Sequence, residues 1–243
     1  MQNNRHGTFS SSSIHILTQL NKAKTDFSEK AQKYIKQVGY ELELGRPLNA
    51  ERDSRPTSWG TFVETRAFNL LPIEYQLVSQ TRLFHPEIST WSGAPDLIIE
   101  FIDFINEIEG IEVVSDVKCP FSLEVFLDKV KALNESVEAY KKEFPADYWQ
   151  LVSNAVLTGA KYAEAIIYVP YLSELQAIRI MASQYDSPAT NWIKYAEDCE
   201  LPYLVDGGKH DNLNIFRFEV PTADKDFLTS KVIAASKLLQ PFS

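Results

Sequence analysis

The sequence predicts an α/β (α+β) fold in which a central mixed β-sheet is flanked by helices. Three observations predict it. Apolar, β-branched runs of strand length at 95–101, 112–118, 163–169 and 213–220 are separated by stretches with helical spacing, the alternation that builds a layered core. Fourteen Phe, eleven Tyr and four Trp supply bulk for that core, whereas nine Gly in 243 residues are too few for a loop-dominated repeat. No internal repeat or long Pro/Gly/Ser linker divides the chain, so residues 1–243 read as one domain.

Along the chain, residues 11–21 read as a short helix behind a serine cap. A longer helix over 27–44 carries Phe27, Ala31, Tyr34, Ile35, Val38 and Leu42 at helical spacing. Polar, proline-containing residues 45–57 read as a loop. A helix over 59–71 follows, with Glu64 near its middle and Pro72 as its stop. Residues 77–84 read as a strand, and 95–101 and 112–118 as a strand pair joined by an acidic connection at 107–110. Helices are predicted over 123–134 and 147–158, the second ended by Gly159, and a buried strand over 163–169. The stretch 172–211 shows no clear period and reads as an insertion. A strand over 213–220 and a helix over 224–239 close the fold.

Composition excludes several classes of function. The start of the chain is polar and lacks the basic end and apolar run of a secretory signal, and the most apolar runs are too short or too acidic to span a bilayer. Two cysteines, Cys119 and Cys199, are too few for a disulfide framework or an iron–sulfur cluster. These features fit a reducing cytoplasm and no membrane partner. The formal net charge of -9 counts against broad contact with nucleic acid, so any phosphate contact needs a local basic patch. Lys22 and Lys24, with Arg52, Arg55 and Arg66 around the glutamate helix, form the best patch available.

The chemistry centres on Ser92-Gly93-Ala94-Pro95-Asp96 and, twenty residues after the aspartate, Asp116-Val117-Lys118. Side chains of a strand alternate between faces, so Asp116 and Lys118 share one surface. If Asp96 begins the neighbouring strand, its carboxylate sits beside Asp116, a repulsive arrangement unless a cation lies between them. Hard oxygen ligands suit Mg²⁺ or Mn²⁺, and such a site favours phosphoester hydrolysis. Lys118 would orient or deprotonate the attacking water, or neutralise charge developing on the phosphate. Alone, the pattern is also that of a surface hairpin with a solvated salt bridge.

Four further stretches accompany the pattern: Trp59-Gly60-Thr61-Phe62-Val63-Glu64, Lys118-Cys119-Pro120-Phe121-Ser122, Tyr148-Trp149-Gln150-Leu151 continuing to Thr158-Gly159, and Arg5-x-Gly7 ahead of Ser10-Ser11-Ser12-Ser13-Ile14-His15. In order and spacing they resemble the phage lambda exonuclease family of viral recombination nucleases, which belongs to the PD-(D/E)xK class. The resemblance implies a restriction-endonuclease-like core. It also implies an active site of Asp96, Asp116, Lys118, Glu64 and Gln150, with metal held by Glu64, Asp96, Asp116 and the backbone carbonyl of Val117. Arg5 and Ser12 match the family's terminal-phosphate pocket, and an Arg fork with a serine at a helix start suits a phosphate. Cys119 and Trp149 read as packing residues. Two departures stand out: Asp116 is shorter than the glutamate usual before x-Lys, and Ala94 lacks the hydroxyl of the phosphate pocket.

The resemblance further implies a Mg²⁺-dependent deoxyribonuclease acting 5′ to 3′ from ends of linear duplex DNA, in phage-type recombination inside an infected or prophage-bearing bacterial cell. A homo-oligomeric ring around DNA and a single-strand annealing protein are the implied partners. The alternatives are a restriction- or repair-type endonuclease and a catalytically silent DNA-binding assembly subunit.

Overall fold

A computed structural model describes residues 6–48, 54–78, 81–103, 108–185 and 187–239. The chain begins with β1 (Phe9–Ser10), a 3-10 helix (Ser11–Thr18), α1 (Glu29–Leu44) and α2 (Arg55–Leu70). Short strands β2 (Gln76–Leu77), β3 (Leu83–Phe84) and β4 (Trp91–Gly93) lead into the long hairpin β5 (Leu97–Asp103) and β6 (Ile108–Lys118). Three helices, α3 (Leu123–Glu135), α4 (Val137–Glu143) and α5 (Pro145–Thr158), connect to β7 (Tyr162–Tyr168). After α6 (Leu175–Tyr185) and 3-10 turns at Asn191–Lys194 and Asp198–Glu200 come β8 (Leu213–Glu219) and α7 (Thr222–Lys237).

The central sheet has the order β2-β5-β6-β7-β8. The pairs β5/β6 and β7/β8 are antiparallel, and β6/β7 is parallel. A parallel neighbour needs a crossover rather than a hairpin, and α3, α4 and α5 supply it. Strand alternation then sorts side chains into two cores. Val114, Ala163, Ala165 and Ile167 pack on one face beneath the initial 3-10 helix, α1, α3, α5 and α7. Val117, Ile166 and Tyr168 pack on the other beneath α2 and α6. A second small sheet, β1-β4-β3, abuts α5 through Ser153, whose hydroxyl lies 2.8 Å from both Trp91 Nε1 and Ser11 Oγ.

The mixed sheet with flanking helices is as the sequence predicts, and several elements differ in detail. Residues 77–84 contribute to two strands in different sheets, because β2 pairs with β5 and β3 pairs with β4. Residues 11–18 wind as a 3-10 helix. There the serine hydroxyls bond within the small sheet and α5, and Ser10 provides no side-chain cap. Helix α2 begins at Arg55, earlier than its apolar spacing suggests, with Ser54 capping Thr57 N–H and proline in the first turn. The stretch 172–211 contains α6 and 3-10 turns that pack on the α2 side. Of the described helices, none is long and apolar enough to cross a membrane.

Candidate active site

Asp96 immediately precedes β5, and β6 fixes it twice. Its N–H donates to the Ser115 carbonyl (3.2 Å), and its Oδ2 accepts the Val117 N–H (2.8 Å). Leu97 lies opposite Ser115, which puts Asp96 level with Asp116. The expectation that these two acids meet across the hairpin is therefore realised in the backbone register.

Asp116 and Lys118 stand on the face covered by α5, and Gln150 of that helix joins them. Its Nε2 donates to Asp116 Oδ1 (2.5 Å), and its Oε1 accepts from Lys118 Nζ (3.1 Å). Lys118 Nζ also lies 2.6 Å from Asp116 Oδ2 as an ion-pair contact. That oxygen is buried and has no aligned hydrogen-bond donor among the described residues. Beneath this unit lies a second pair that the sequence reading missed, Lys129 of α3 with Asp147 of α5, the latter also accepting from Tyr140 (3.1 Å). The signal was present: Lys129 falls among Phe126, Val130 and Leu133 at helical spacing, an apolar position held by a charge. Burial pulls the Lys118 ammonium towards neutrality, but Asp116 and Asp147 hold its pKa above the usual lysine value.

Glu64 approaches from the other layer, on α2. Burial and then the charge of Asp116 push its carboxyl up to about 7, against the pull of Lys118. Burial, Asp116 and Glu64 likewise push Asp96 up to about 8. Asp116 is raised by burial although Lys118 opposes it. Glu64, Lys118 and Lys129 line one cleft of about 460 Å³ with Gly60, Val117 and Phe121. Three carboxyl groups that disfavour one another's ionisation, one with an unaligned buried oxygen, fit a hard divalent cation in their donor chemistry. Among the described residues, no three acid, histidine or cysteine side chains stand close enough together to hold a metal ion as they are placed.

These shifts set a pH dependence. Without a divalent cation, the folded protein keeps protons on Glu64 and Asp96 at pH values where the unfolded chain has lost them. Stability contributed by these groups is therefore full near pH 4 and falls as pH rises through about 7 and 8. A bound cation removes the repulsion, so saturating Mg²⁺ should raise the melting temperature more at pH 8.5 than at pH 5.5. Thermal melts across this range check the expectation, and a Mg²⁺ effect that shrinks with rising pH would refute it.

Other expected residues fall outside this cluster. Arg5 and Arg52 lie outside the described residues. Ser12 is exposed, with its hydroxyl 3.2 Å from Ser10 Oγ. Arg66 donates to Glu174 (2.9 Å), whereas the Arg55 guanidinium lies over the Trp192 ring and stays exposed. Cys119 and Trp149 are buried in the two cores, and burial pushes the Cys119 thiol well above its ordinary value.

No family model matches the sequence, and no curated protein matches it. Solved structures do. An alkaline exonuclease from Laribacter hongkongensis is similar over 97% of this chain and 89% of its own, at a TM-score of 0.59 and 15% identity. The same exonuclease in complex with dAMP matches equally. A phage-related exonuclease from Haemophilus somnus 129PT is similar over 96% of this chain and 94% of its own, with a TM-score of 0.59 and 16% identity. By its mixed sheet, flanking helices and near-complete overlap with these structures, the chain shares the fold of these alkaline and phage-related exonucleases.

Proposed function

We propose that this protein is a Mg²⁺-dependent DNA exonuclease that hydrolyses phosphodiester bonds from the ends of linear duplex. The observation that carries the reading is the single unit formed by Asp116, Gln150 and Lys118, level with Asp96, from which Lys118 reaches a cleft that Glu64 also lines. The cleft is lined by the Glu64 carboxyl and the Lys118 and Lys129 ammonium groups, with the buried Asp116 carboxylate paired to Lys118 behind it, a set of groups suited to phosphoester hydrolysis. Exonucleases of the same fold, one with dAMP bound, support DNA as the substrate.

Glu64, Asp96, Asp116 and the Val117 carbonyl would hold Mg²⁺ or Mn²⁺, which when bound supplies positive charge to the phosphate and makes an attacking water more acidic. Lys118, held as an ammonium by Asp116 and Asp147 in the metal-free protein, would donate to a phosphate oxygen as charge develops there. Gln150 holds that ammonium and Asp116 at fixed separation. The Asp96 carboxylate, tied to Val117 N–H, is oriented before substrate arrives. Ser12 with Arg5 serves the terminal phosphate, and action runs 5′ to 3′ in phage-type recombination. A ring of subunits with a basic channel and acidic exterior reconciles the net charge of -9 with a DNA substrate, and an annealing protein would take the strand left behind.

The test is incubation with linear and covalently closed duplex in Mg²⁺ or EDTA. Linear duplex should shorten to nucleotides only with Mg²⁺, and the closed circle should survive. Cutting of the circle would make the protein an endonuclease, and binding without cleavage under any metal would leave only an assembly subunit.

A further inference from the structure

Among the described residues of segment 172–211, which the sequence reading treats as an insertion, none lines the cleft around Glu64. Besides the apolar packing of α6 on α2, in which Tyr185 meets Phe62 (ring centroids 5.9 Å apart), the segment holds the helix that carries Glu64 by two polar anchors. Ahead of Glu64, the Trp192 ring packs on Trp59 (centroids 6.4 Å apart) and on Phe121 (5.9 Å), its Nε1 donates to Ser58 Oγ (3.2 Å), and the Arg55 guanidinium sits 5.1 Å from its centroid. Trp192 thereby touches both the Glu64 helix and the run that follows Lys118.

Beyond Glu64, Arg66 Nη2 donates to Glu174 Oε1 (2.9 Å). Glu174 is fully committed: Tyr168 of β7 donates to the same oxygen (3.1 Å), while Tyr171 N–H (2.8 Å) and Asn212 Nδ2 (2.9 Å) donate to the other. The carboxylate thus ties α2 to the sheet. Positions 58 and 66 are separated by about 12 Å of helix. One anchor would let the helix pivot, whereas two on either side of Glu64 fix its height and rotation.

We propose that segment 172–211 is a positioning device for Glu64, in which Trp192 and the Arg66–Glu174 pair clamp α2 and so set where the Glu64 carboxylate stands relative to Asp116 and Lys118. The inference rests on the reading of Glu64 as a metal-side carboxylate. Trp192 and Glu174 are positioning residues acting through another group, so their removal should alter metal affinity rather than only stability.

The experiment is calorimetric titration of Mn²⁺ alone, without DNA, into the full chain. Trp192→Ala and Glu174→Gln should each weaken binding about tenfold, the effect typical of losing support behind a ligand. Trp192→Phe, which keeps the ring, should recover most of the affinity and guards against simple unfolding of the alanine variant. In a Glu64→Gln background the same substitutions should have no further effect, because there is no carboxylate left to position. Unchanged Mn²⁺ affinity in the folded variants, or an equal loss in the Glu64→Gln background, overturns the clamp. Wild-type protein that shows this dependence on Trp192 yet leaves DNA intact supports the clamp and overturns the exonuclease reading.

Discussion

Asp116→Asn should abolish most DNA hydrolysis while leaving the metal-free protein as stable as the parent or more so. The carboxylate is buried, 2% exposed, and its charge helps to push Glu64 and Asp96 up. An amide of the same shape removes that repulsion and can still meet Gln150. Stability above neutral pH should accordingly rise, since a group whose folded pKa is raised opposes folding once it ionises. The rate should fall at least about a hundredfold, because the proposed metal ligand and the partner of Lys118 go together. Rate of linear-duplex degradation and melting temperature, measured on the same preparation, test both halves. Full activity in the variant would remove Asp116 from the site, and a large fall in melting temperature would mean that the residue serves packing instead.

Gly93→Ala should impair both folding and activity. Gly93 lies at the end of β4, where a methyl group would meet Leu157 at 2.6 Å, Asn154 Oδ1 at 2.7 Å and Ser11 Oγ closer still. Ser11 is held by its buried hydroxyl pair with Ser153, and Asn154 and Leu157 stand on α5, so these side chains or β4 must shift. Overpacking of this kind costs about 1–3 kcal/mol. Asp96 follows three residues later, and a displacement of about 1 Å at a reacting group can reduce the rate on the order of a hundredfold. The expected result is a lower melting temperature together with a lower kcat in the fraction that folds. A variant with parental kcat would show that Pro95 and the two bonds to β6 hold Asp96 independently of β4.

The catalytic pattern was legible because strand period is a strict rule: Asp116 and Lys118 share a face wherever the strand begins, and the short link to Asp96 forces a hairpin. Glu64 and Gln150 were legible only through resemblance, since nothing in a helix's own sequence tells which exposed turn will face a sheet. The small sheet was missed because three residues, Trp91–Gly93, are too few to show a period. Residues 172–211 escaped for a related reason. Their 3-10 turns of three or four residues carry no repeating pattern, and the one helix, with Leu175, Ile178 and Ala182 buried, reveals its inner face only against α2. Lys129 was overlooked because a lysine on an apolar face looks like an interruption until its Asp147 partner, eighteen residues on, is in place.

The two cores on opposite faces of the sheet bear on when the proposed site can be complete. Glu64 belongs to the layer over Val117 and Ile166, Gln150 to the layer over Val114 and Ala165, and Asp116 to the strand between. A chain that has packed one layer alone presents an incomplete set of groups. On the proposed function, hydrolytic competence is a coincidence signal for the whole fold: a newly made or partly unravelled copy would be chemically silent until both halves of the architecture had closed on the same strand.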